Sequence, residues 1–127
     1  MIAIMKECMD RVREAVPAVI EPLTTRNSVK NASLDAIHNY KLLLSGVERD
    51  LIKASKGKDV AEVSAAIAIV AGIRREIKTD AYYNVSKPEP AVTIERITHN
   101  CYRVADALEY LTNCLALEDN AGPSLFI

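Results

Sequence analysis

The stretch from Ile94 to Leu115, IERITHNCYRVADALEYLTNCL, decides how the rest of the chain is read. Ile94, Ile97, Cys101, Val104, Leu108, Leu111 and Leu115 recur at alternating steps of three and four. This stepping lays an apolar stripe along one side of a long helix, with polar residues on the remaining sides. A stripe of three heptads has to be buried against other helices, so it specifies architecture rather than chemistry.

Working outward, the same stepping appears three more times. Ile2, Met5, Met9, Val12, Val16 and Val19 predict a first helix, with Lys6, Glu7, Asp10, Arg11, Arg13 and Glu14 between them. Pro17 removes one backbone donor and crowds the carbonyl four residues back, so a kink is expected there. The apolar phase nevertheless continues through Val19 and Leu23. The polar run Thr24 to Ala32 is read as a connection, with Asn31 or Ser33 as the cap of a second helix. That helix carries Ile37, Tyr40, Leu44, Val47 and Leu51 and is expected to end near Ala54. Lys56-Gly57-Lys58-Asp59 supplies a stop and a cap, a short turn that predicts an antiparallel hairpin with the third helix.

The third helix is expected over Val60 to Asp80, with Val63, Ile67, Val70 and Ile77 on one stripe. Beside it Ala61, Ala65, Ala68 and Gly72 form a row of small residues. That row predicts a close neighbouring helix, with Gly46 facing the level of Ala68 to Gly72. Ala81 to Pro90 reads as the next connection, and the fourth helix is expected from Pro90 or Ala91 to about Glu118. The architecture expected is an all-α, antiparallel four-helix bundle, up-down-up-down, in one domain over residues 1–118 with a tail at 119–127. The fourth helix would be ~40 Å long at 1.5 Å per residue, more than a kinked first helix covers, so self-association is expected as well.

Composition narrows the function classes. Of 127 residues 50% are hydrophobic and 26% charged, which is the balance of a folded globular chain. Sixteen basic and seventeen acidic residues leave a net charge of −1, so no overall field attracts nucleic acid or an anionic membrane. Cys8, Cys101 and Cys114 are odd in number and lack CxxC spacing, so they are read as buried free thiols of a cytoplasmic protein. No apolar run reaches the ~20 residues of a membrane span, and no export signal is expected. The four glycines stand apart at 46, 57, 72 and 122, which excludes a glycine-rich phosphate loop.

Candidate chemistry is sparse, and no catalytic, cofactor or metal residue is assigned. Glu95, His99, Tyr102, Asp106 and Glu109 fall on one face of the fourth helix, a stripe read as facing solvent or a partner. Glu95 and His99 are one turn apart, so the rival reading is a metal protein or enzyme built on that face. Di-metal bundles use inward Glu-x-x-His pairs, a spacing absent here. His38 lies off its helix's apolar stripe with no nucleophile placed beside it, so it is read as a surface residue. Arg74, Arg75 and Lys78 are assigned to the negative end of a helix dipole rather than to phosphate binding. Tyr82 and Tyr83, in the proline-flanked connection, are read either as interface anchors or as a cap on the bundle end.

The end of the chain, Gly122-Pro123-Ser124-Leu125-Phe126-Ile127, carries three consecutive apolar residues. Ser124-Leu125-Phe126 resembles the end of the short peptide by which bacterial replication proteins bind the sliding clamp, without that peptide's leading glutamine. The resemblance implies a replication-associated or nucleic-acid-associated alternative, whereas docking of Leu125, Phe126 and Ile127 on this chain or a second copy is the favoured expectation. The leading expectation for function is a non-enzymatic helical interaction protein, an adaptor, assembly factor or inhibitor whose partner is another protein or a second copy of itself.

Overall fold

The computed structural model describes residues 1–26, 32–56, 58–86 and 90–121, and side chains at 1–23, 35–56, 58–81 and 94–117. Four helices account for nearly all of them: α1 Ile2–Arg26, α2 Ala32–Ser55, α3 Ala61–Ser86 and α4 Pro90–Ala121. No strand occurs among the described residues. None of the helices is long and apolar enough to cross a membrane.

Each helix forms where the apolar stepping demands it, and differences from expectation sit at the ends. The helix α1 continues through Pro17 and Pro22 to Arg26, so the first connection is shorter than the polar composition of 24–32 implies. Between α2 and α3, the amide of Lys58 donates to the carbonyl of Ser55, closing the turn that the Lys56 to Asp59 segment predicts. The helix α3 runs six residues past Asp80 to Ser86, which corrects the placement of Tyr82 and Tyr83 in a connection: both are helical. Proline restricts only the residue before it, so Pro88 leaves the chain free to stay helical up to Ser86. Their side chains lie outside the described residues. The helix α4 begins at Pro90 as expected and ends at Ala121, beyond Glu118. Leu125, Phe126 and Ile127 lie outside the described residues.

The stripes meet in one core. From α4 it takes Ile97, Cys101, Val104, Leu108 and Leu115, with Ile94 and Leu111 half-buried at its edge. Met5, Cys8, Val12, Val16, Val19 and Leu23 come from α1, and Ile37, Tyr40, Leu44, Val47 and Leu51 from α2. From α3 come Val63, Val70 and Ile77, joined by Ala66 and Ile73, which the predicted stripe omitted. Helix α1 packs against α2 and α4, and α3 packs against the same two. One ion pair or more marks every one of these contacts: Arg11 with Asp50 at 2.9 Å, Arg13 with Glu109, Arg74 with Glu48 at 2.6 Å, Arg96 with Asp80 at 3.5 Å and Arg103 with Glu76 at 3.3 Å.

The row of small residues does not do what its composition suggests. A Cβ added at Gly72 meets nothing within 4 Å, and at Gly46 it meets only the Arg49 guanidinium, at 3.9 Å. Ala61 and Ala68 are exposed. The row therefore lies outside the contact between α2 and α3, and close backbone approach at Gly46 and Gly72 is corrected. Two stability predictions follow from this placement. Gly72→Ala should stabilise the fold by ~0.5–1 kcal/mol, because a helix-interior glycine is replaced in open space, while Ala68→Leu should be near neutral. Leu108→Ala should cost ~2–5 kcal/mol through lost burial and a residual cavity. Urea denaturation of the three variants checks both statements.

Candidate functional site

The surface of α4 that is left outside the core carries most of the residues singled out from sequence, but the bundle divides them. At about 3.6 residues per turn, Tyr102, Asp106, Tyr110, Asn113 and Leu117 fall within one outward arc of the helix. Tyr102 is 52% exposed, Tyr110 70% and Leu117 68%, so this arc presents two aromatic rings and a leucine to solvent. Glu95 and His99 are exposed too. His99 turns to the flank shared with α3, and Tyr102 and Asp106 to the flank shared with α1.

On the α1 flank a groove of about 480 Å³ has Val16, Pro17, Ile20 and Ala105 along it, with Arg13, Glu21, Tyr102 and Asp106 at its polar edges. The Arg13–Glu109 ion pair joins its two helices. Pro17 has no amide hydrogen, so the carbonyl of Arg13 is left without its helical donor beside this groove. The groove thus combines apolar lining, one spare acceptor and a half-exposed tyrosine, the mixture found where a protein surface is covered by another.

On the α3 flank the groove is larger, about 590 Å³, and polar. Gly72, Arg75, Glu76, Thr79 and Asp80 line it from α3, and Arg96, His99, Asn100 and Arg103 from α4. Arg103 donates both to Glu76 and, at 3.1 Å, to the Oδ1 of the buried Asn100. Burial pushes the Asp80 carboxyl above its ordinary range, an effect that the Arg96 guanidinium opposes and Glu76 reinforces. Arg96 and Arg103 escaped the sequence reading. The signal that would have found them is the spacing of Arg96, His99 and Arg103, three and four apart on one face.

The other reactive groups are buried. Burial pushes the Cys101 thiol up to about 12, with the nearby Tyr40 hydroxyl partly offsetting the rise. Tyr40 is raised by burial as well, and its hydroxyl has no hydrogen-bond partner of good geometry. Cys8 is raised by burial, while Arg11, whose guanidinium stands 3.8 Å from the sulfur, pulls the other way. A thiol held protonated in this way is a poor nucleophile. Among the described residues no three His, Cys, Asp or Glu side chains are grouped as metal ligands, so nothing there completes a Glu95 and His99 site. Cys114 is only partly buried. In the native protein Cys114 should therefore react with a thiol reagent at least ten times faster than Cys8 and Cys101, and all three should react alike in denaturant, as mass spectrometry of the labelled peptides will show.

Comparison with protein-family models, with characterised proteins and with solved structures found no match.

Proposed function

We propose that this chain is a non-enzymatic helical interaction protein, an adaptor, assembly factor or inhibitor that acts by burying part of its surface against a second copy of itself or another protein. The observation that carries the reading is the outward arc of α4, where Tyr102, Tyr110 and Leu117 are more than half exposed and Tyr102 edges the groove shared with α1. Large apolar and aromatic side chains gathered on one face are the usual material of a docking surface. On this reading the helices run up, down, up and down as one domain with α1 kinked at Pro17, and the residues after Ala121 serve as a docking tail. Support for the alternating directions comes from the ion pairs, since Asp80 meets Arg96 while the earlier Glu76 meets the later Arg103. A cytoplasmic location is part of the same proposal, motivated by the three free cysteines.

The metal-protein reading based on Glu95 and His99, and the replication reading based on the Ser124-Leu125-Phe126 resemblance, have no comparable geometry behind them among the described residues. Sedimentation at a series of concentrations tests the leading version. The average mass should exceed that of one chain, and the double substitution Tyr102→Ser and Leu117→Ser should lower association at least tenfold. Because both residues are exposed, stability should change by no more than ~0.5 kcal/mol per site. A chain that sediments as a monomer at every concentration would overturn self-association.

A further inference from the structure

The interhelical ion pairs given above are not equivalent, and the difference points to a binding site. Arg74 grips Glu48 with two nitrogens, at 2.6 and 3.5 Å, and the glutamate side chain is only 14% exposed. That is a saturated, structural pair. Arg96 and Arg103 instead each touch their carboxylate through one nitrogen, at 3.5 and 3.3 Å, with the arginine side chains 66% and 49% exposed. The Arg103–Glu76 pair is exposed on both sides, so it is weak and exchanges easily, and the Arg96 guanidinium is held at one point only, although its Asp80 partner is 15% exposed. A guanidinium has five N–H donors, so both retain donors for another acceptor. Arg75, across the groove and next in sequence to the Glu76 that meets Arg103, has no ion-pair partner among the described residues.

We propose that the groove between α3 and α4 is a binding site for a small polyanion carrying two or more phosphate or carboxylate groups, held by Arg75, Arg96 and Arg103 with His99 at its edge. The spacing requires more than one anionic group. Arg96 and Arg103 are two turns apart, ~10 Å along α4, and Arg75 stands on a facing helix whose axis is ~8–10 Å away. Planar guanidinium forks match both phosphate and carboxylate oxygens. The volume of about 590 Å³ falls within the range of small-molecule sites. Glu76 and Asp80, left in the groove, oppose a continuous nucleic-acid backbone, and among the described residues no Phe, Tyr or Trp lines it as a stacking platform. They set selectivity instead, because only a ligand dense enough in negative charge displaces them from Arg103 and Arg96.

The test is a set of backbone amide NMR titrations of the full chain with sodium pyrophosphate and with citrate, at constant ionic strength held by chloride. Saturable shifts at Arg75, His99 and Arg103 with either anion are expected, and the tighter of the two identifies the phosphate or the carboxylate source. Arg75→Ala should weaken binding at least tenfold with the rest of the spectrum unchanged. Glu76→Gln should tighten it several-fold by freeing Arg103 and removing a repelling charge, a gain that loss of folding cannot imitate. Shifts that never saturate or that chloride alone reproduces would overturn the proposal. So would indifference to both substitutions, or a single-stranded oligonucleotide that binds the same residues more tightly than either small anion.

Discussion

The buried stripe of α4, from Ile97 to Leu115, is the constraint that the other helices satisfy. The stripes of α1, Met5 to Leu23, and of α3, Val63 to Ala81, match it in length and close over it from the two sides, while α2 joins them from across the core. Burial of a leucine or isoleucine side chain is worth ~1.5–3 kcal/mol, against ~0–1 kcal/mol for an exposed ion pair. The core therefore holds the helices together, and the ion pairs at its border choose among registers that the apolar contacts would tolerate. Arg11 does more than choose, since it reaches both Asp50 and the buried sulfur of Cys8.

Polar atoms within this core are few, and most are satisfied locally. The Thr112 hydroxyl donates to the Leu108 carbonyl at 2.6 Å, within its own helix. Tyr40 is an exception, as are the Thr98 hydroxyl and the Arg11 Nε: its ring fills the core while its hydroxyl finds only the weakly interacting Cys101 thiol. A buried hydroxyl without a good acceptor costs stability, which offsets part of what burial of the tyrosine ring contributes.

What was legible in the sequence depended on how unique the helical phase was. In α2 the stripe from Ile37 to Leu51 admits one reading, and all five positions are buried. In α3 apolar and small residues cover more than half the circumference, so Val63, Ile67, Val70 and Ile77 marked only part of the buried arc, and Ala66 and Ile73 were missed. Small size was mistaken for close contact at Ala61, Ala68 and Gly72, although alanine is also simply the best helix former on an open face. The end of α3 was placed too early because Tyr82 and Tyr83 were read with the prolines that follow them. On α4 the outward position of Tyr102 and Asp106 was visible, but the division of the stripe between two grooves depends on where α1 and α3 dock. Likewise Arg74 and Arg75 are neighbours in sequence, and a rotation of one residue sends the first to Glu48 on α2 and the second to the α4 groove.

The two prolines of α1 bear on the order in which the chain assembles. Pro17 and Pro22 each remove a helical hydrogen bond, so the second half of α1 is a poor helix in isolation and depends on the burial of Val19 and Leu23 for its form. By contrast α2 and α3 have no internal proline and are joined by a turn of a few residues, which makes their mutual contacts local and quick to form. The contact of α1 with α4, marked by Arg13 and Glu109, spans most of the chain. The helices α3 and α4 are joined as closely, so assembly is expected to begin among α2, α3 and α4 and to finish at the α1–α4 seam, which makes the groove with the outward tyrosine the last surface of the molecule to be completed.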